Sequence, residues 1–192
     1  MAELSDIPPL FSPYASSIAS LESLLAEPAP IEITQKFLRF RLEPDHGVLV
    51  PVQDVLAVLT ISLSEVLPIP HMNESVLGVL NWRGEALWLV DLSNQLGFNS
   101  LMRTTKRLST LTIIVVQKKL QLLGLAVSEV QDIEEHSPDQ MRLPSNELFA
   151  PRLLPFVKGY FLHEHTIVLD TSAVLEDPHL QTHKLRNSSA DY

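Results

Sequence analysis

Two stretches of this chain repeat one plan, and that repetition restricts the possible folds more than any other feature. In the first half, VPVQDVLAV places Val52, Val55 and Val58 at intervals of three. In the second, LAVSEVQDI does the same with Val127, Val130 and Ile133. Downstream, VLGVL…WLVDLSNQL is echoed by FVKGYF…IVLDTSAVL. Each copy runs from an apolar residue and a glycine, through a hairpin, to an apolar-Asp step: Val90-Asp91 and Leu169-Asp170. Leu96 and Leu175 follow at the same interval. A unit spanning 36–97 therefore recurs at 111–175, offset by roughly 75–80 residues.

The unit reads as β. FLRFRL sets Leu38, Phe40 and Leu42 on one face and Arg39 and Arg41 on the other, the period of a strand. LTIIVVQ and TIVLD are short, β-branched and bounded by turn residues. Helical signal is confined to DLSNQLG, ended by Gly97. Five short strands in about 60 residues suit a barrel of SH3 size. Either unit alone buries little apolar surface, so the two lobes must lean on each other. The expectation is an all-β protein of two five-stranded lobes with short helices.

Residues 1–35 differ from the rest. They lack Lys, Arg and Gly and carry scattered Pro and Ser, with one short helical pattern at 18–26 formed by Ile18, Leu21 and Leu25. They are read as an N-terminal extension, and the polar residues 178–192 as a flexible tail. The helix at 18–26 rests on the domain or frays; as an alternative it docks on a partner.

Composition removes whole classes of function. A net charge of −9 argues against nucleic acid, which needs clustered Lys and Arg, and against an anionic membrane surface. With 45% apolar and 19% charged residues the chain is globular. It has no cysteine, which excludes disulfides and thiolate chemistry and fits a cytoplasmic location. The N-terminus shows no leader pattern, and no apolar run approaches the roughly 20 residues of a membrane span.

Chemistry-bearing motifs are equally scarce. The six glycines (47, 78, 84, 97, 124 and 159) are too dispersed for a phosphate-cradling loop. HEH at His163–His165 is the best metal candidate, but it lacks a third ligand and falls at a turn of the second unit. Asp91 and Asp170 stand between a strand and a helical turn, where capping explains them better than acid–base work. EVQDIEE reads as a solvated face, and QKK at 117–119 as a hairpin tip. No catalytic, cofactor-binding or metal-binding residue emerges.

What remains is GVLNWRGEALWLVDL, residues 78–92. Its apolar arms are core material, yet Trp82 and Arg83 occupy the polar break between them, and Trp88 lies on the returning arm. Trp and Arg are the types most enriched at interface hot spots, so the tip reads as a partner-binding surface.

This run, preceded by VPVQDVLAV and followed by a second lobe of the same plan, resembles the CheW-like domain of bacterial chemosensory systems over 36–177. The resemblance implies two intertwined five-stranded SH3-like barrels without catalytic activity. It implies an adaptor that joins the regulatory domain of a CheA-like histidine kinase to the cytoplasmic tip of methyl-accepting chemoreceptors, in membrane-associated arrays. By match of motif, Arg83, Gly78 and Val55 fall at positions the family uses for this coupling, while Asn81 and Gly84 shape the turn. The chain departs from the family at Trp82, where Leu is usual, at Trp88, where Pro is common, and at Ser93, where a basic residue is usual. The added aromatic surface points to pathways of type IV pilus motility or phototaxis. Two alternatives stay open: a regulatory module that binds only receptor or only kinase, and an inhibitory adaptor. An enzyme or small-molecule sensor using the cleft between lobes would need convergent polar residues, and no spacing in the sequence shows them.

Overall fold

The computed structural model of the chain describes residues 33–43, 46–104, 109–162 and 166–181. The helical pattern at 18–26 and the HEH turn lie outside them. Ten strands follow in order: β1 Gln35–Glu43, β2 His46–Pro51, β3 Val55–Ser62, β4 Val76–Trp82, β5 Glu85–Asp91, β6 Thr110–Lys118, β7 Gln121–Val127, β8 Glu129–His136, β9 Val157–Phe161 and β10 Thr166–Leu169. Short helices α1 Leu92–Leu96, α2 Leu101–Thr104, α3 Thr171–Leu175 and α4 Pro178–Gln181 complete the described elements, with 3₁₀ turns between strands.

The strands form two five-stranded sheets, ordered β8-β1-β2-β10-β9 and β3-β6-β7-β5-β4. Replacing each strand of the first unit by its counterpart in the second turns one order into the other. The doubled sequence is thus a doubled structure, but neither sheet is one unit. Each takes two strands from one half and three from the other. The exchange is visible in the pairings: β2 runs parallel to β10, and β5 parallel to β7.

The alternation of FLRFRL explains how one strand serves two cores. Leu38, Phe40 and Leu42 enter the core shared by both sheets, with Val48, Val50, Ile114, Val116, Leu125 and Val127. Phe37, from the opposite face of β1, joins Leu49, Phe161 and Val168 inside the first sheet. The second sheet encloses Ile61, Leu80, Leu87, Leu89, Ile113, Val115 and Ala126.

The valine triplets occupy matching environments. Val52 packs against the shared core and Val127 is buried in it. Val55 and Val130 are half-buried against that core, while Val58 and Ile133 are exposed. The apolar-Asp steps also match. Asp91 accepts the Asn94 N–H at 3.1 Å and caps α1, which ends at Gly97 with a left-handed φ of 94°. Asp170 accepts the Ser172 and Ala173 N–H groups at 2.9 and 3.1 Å and caps α3. EVQDIEE is mostly solvated, and the Gln117–Lys119 stretch enters a hairpin turn, as read from the sequence.

One expectation needs correction. Residues 178–181 are not flexible tail but helix α4, begun by the Asp177 carboxylate, which accepts the His179 N–H at 2.9 Å. Its Leu180 packs against the shared core. A polar composition concealed one apolar anchor and one cap.

Candidate partner-binding surface

The tip of the β4–β5 hairpin is a two-residue turn, Arg83-Gly84, closed by the pair Trp82 and Glu85. Both turn residues have positive φ, 55° and 86°, the geometry that follows the right-handed twist of the flanking strands. Gly84 adopts it freely, whereas Arg83 adopts it against its Cβ. Asn81 holds the turn: its Oδ1 accepts the Gly84 N–H at 3.1 Å. Local chemistry thus accounts for Asn81 and Gly84. It does not account for arginine in a position where glycine or asparagine is easier.

The arginine lies across the neighbouring ring. Its guanidinium carbon is 4.5 Å from the centroid of Trp82. Trp82 is half-buried against the core of the second sheet, so the platform beneath the cation is itself anchored. Arg83 is exposed and forms no ion pair among the described residues. The tip therefore presents an exposed cation laid over an anchored ring.

The other sequence-derived positions surround this tip unequally. Gly78 is buried farther down the hairpin, opposite Leu89, at a register shift in the β4–β5 ladder and with φ of 142°. A Cβ there would lie 2.2 Å from the Leu67 carbonyl oxygen, because residue 67 bridges Val79 through two hydrogen bonds of 2.9 Å. Its glycine is required for backbone approach, not for surface chemistry. Val55 opens β3, at the other end of the sheet's strand order from β4. Of the six residues, Asn81–Gly84 make the tip, Gly78 lies within the β4–β5 ladder opposite Leu89, and Val55 belongs to β3 at the opposite end of the strand order. Trp88 packs on the shared core, whereas Trp82 packs inside the second sheet, so the two rings do not combine. Ser93 is fully buried, and its hydroxyl donates to the Leu42 carbonyl at 3.3 Å.

Sequence reasoning missed the neighbour of the tip. β5 and β7 are parallel with Leu89 opposite Gly124, so the β4–β5 and β6–β7 turns rise from the same end of the sheet. The second turn carries Lys119, with φ of 55°, and Leu120, which is 97% exposed. The available signal was an apolar residue inside a polar hairpin tip. Near the Val55 end of β3, Leu56 and Val58 are exposed as well.

Among the described residues no helix is long and apolar enough to cross a membrane. The model of the CheW-like domain family matches residues 36–179. A chemotaxis protein CheW of Rhizobium meliloti is 42% identical over 66 residues, which cover 34% of this chain and 40% of that protein. A Rhizobium etli protein described as "Probable chemotaxis protein CheW" is 32% identical over 90 residues, 47% of this chain and 55% of the relative. The chain thus spans about half the length of the curated relatives it matches. In fold it is similar to the scaffolding protein TtCheW of Thermoanaerobacter tengcongensis, with a TM-score of 0.61, 21% identity, and coverage of 72% of this chain and 90% of that one. A doubled five-strand unit, two strand-exchanged sheets and a family match across most of the chain lead to one conclusion: the protein belongs to the CheW-like domain family.

Proposed function

We propose that this protein is a non-catalytic adaptor that couples a CheA-like histidine kinase to methyl-accepting chemoreceptors, and that it is recruited from the cytoplasm to receptor arrays. Family membership supports the class. The observation that carries the reading to particular residues is the Arg83 turn: a strained, exposed cation laid over an anchored tryptophan. Backbone strain of this kind persists where the surroundings hold it, and it is found often at ligand-binding sites. A guanidinium so placed can make charge-assisted bonds to a carboxylate or to carbonyl groups of a partner. Trp82, Asn81 and Gly84 serve by fixing its position, Gly78 by letting the hairpin form, and Val55 as a separate contact.

The test is capture of the full chain by two immobilised partners, a kinase regulatory domain and a receptor-tip fragment, for wild type and for Arg83→Ala. Binding to both, weakened about thirtyfold toward one of them in the variant, supports the coupler. Binding to a single partner points to the regulatory or inhibitory module instead. Unchanged binding of a stable variant returns Arg83 to the ordinary surface.

A further inference from the structure

Each sheet ends in two edge strands, and an edge presents unpaired N–H and C=O groups unless something blocks it. Among the described residues three of the four edges are blocked. Leu67 lies along β4, exchanging two backbone hydrogen bonds of 2.9 Å with Val79. Arg142 does the same for β9, exchanging bonds of 3.0 and 2.9 Å with Tyr160. β8 carries Glu129, Asp132, Glu134 and Glu135, so a strand arriving beside it meets a row of carboxylates. β3 has none of these protections. It pairs with β6 alone, and VLAVLTIS contains no charged residue and no proline.

Burial along β3 agrees with an open side. Leu56 and Val58 belong to its outer face and are 44% and 45% exposed. Val55, Ala57 and Leu59 alternate with them on the inner face, yet are only half-buried. In the neighbouring β6, Ile113, Ile114, Val115 and Val116 are all fully buried. The chain's charge narrows what can cover this edge. Two copies carrying −9 each repel over most of their surfaces. At β3 a two-fold axis sets the strand against itself with no like charges opposed, which is the condition self-pairing needs.

We propose that β3 is the docking site for β3 of a second copy, the two strands running antiparallel about a two-fold axis at Val58. Val58 then stands opposite the partner's Val58, and Leu56 opposite the partner's Thr60. This centre overlaps the strands over 55–61 and gathers the exposed Leu56 and Val58 side chains of both copies on one face. Two sheets of five strands become one of ten. The other edges being blocked, the assembly closes at two. The contact needs neither kinase nor receptor, so its test uses the full chain alone.

Sedimentation velocity reads the mass from micromolar to about millimolar concentration, the range suited to a small interface. The mass is expected to rise from 21.5 kDa toward twice that value. Added salt should favour the dimer, because it screens the like charge of the two copies and no ion pair forms the seam. Val58→Lys opposes two ammonium groups at the axis and should keep the protein monomeric with its circular dichroism unchanged. The chain has no cysteine, so Val58→Cys gives a second reading that stands even if the lysine variant folds poorly. Opposed residues of an antiparallel seam lie within disulfide reach, so mild oxidation should link two copies. Leu120→Cys, at a turn 97% exposed that the axis carries to opposite ends of the joined sheet, should stay unlinked. A mass that remains at 21.5 kDa throughout overturns the proposal. So does equal association of a folded Val58→Lys variant, which would put the contact elsewhere. Masses beyond the dimer, or equal linking of both cysteine variants, are also incompatible with a closed β3 pairing.

Discussion

Strands β3 and β8 hold the same place in their sheets, each an edge strand paired on one side only. They read VLAVLTIS and EVQDIEEH. Along the β1–β8 seam, Lys36, Arg39 and Arg41 face Glu135, Glu134 and Glu129 at 3.4, 2.8 and 3.8 Å. The β3–β6 seam is made of Val, Leu, Ile, Ala, Thr and Ser side chains, and Leu56 and Val58 of β3 are exposed. A charged edge discourages the addition of further strands, whereas a smooth apolar edge invites it. The interiors differ in the same sense. In the first sheet Arg39 also donates to Thr166 at 3.2 Å, and Glu134 meets His136 at 2.9 Å. The His136 ring stacks on Phe161 with centroids 4.5 Å apart. The second sheet is filled by aliphatic side chains, with Trp82 packed against them. One fold plan has thus been stabilised in two ways, by an ion network and by volume. The two should fail under different conditions.

The largest effect expected separates two equivalent glycines. Gly78→Ala places a Cβ against a backbone carbonyl at positive φ and should cost about 3 kcal/mol in urea unfolding. Gly159→Ala meets chiefly the flexible Met141 side chain, with the Arg142 carbonyl at 2.8 Å, and should cost less. Equal losses would mean the two hairpins are constrained alike, against the contrast in their backbones.

Ile113→Ala, at a fully buried site in the second sheet, should cost about 2–4 kcal/mol with no dependence on salt or pH between 5 and 8. A loss that grew with salt would put an electrostatic term where packing is assigned.

Glu134 supplies the opposite signature. Burial raises its pKa, but hydrogen bonds and charge from Arg39 and His136 leave it below its ordinary 4.5. A depressed folded-state value contributes stability above the unfolded value, and that contribution is lost as pH falls through the folded one. Wild type should lose stability below about pH 4.5 more steeply than Glu134→Gln, and Arg39→Met should flatten the same slope. At neutral pH each variant should cost about 1–2 kcal/mol. Parallel acid profiles would remove the network from the account of the first sheet.

The smallest stability change is expected at the tip. Arg83→Gly relieves a left-handed arginine and should leave thermal melting within about 0.5 kcal/mol of wild type, or slightly above it, while partner capture falls. A marked drop in melting would make the cation–π contact part of the fold.

Much of this was legible in the residue order because its causes are local. Alternation in FLRFRL assigned the faces of β1, the apolar-Asp steps announced the caps at Asp91 and Asp170, and Asn-x-x-Gly marked the turn at Arg83. The repeat fixed the number of strands and their equivalence. What residue order could not supply was which strands pair, since two equivalent units can close separately or exchange partners with the same local geometry. Only the competition of long-range contacts decides, and here it pairs β1 with β8 and β3 with β6. The company of Leu120 beside the tip and the meeting of Gln95 with Asp177 across 82 positions both depend on that choice. A side chain's type is written in the sequence; its neighbours are set by how the chain closes its most distant loops.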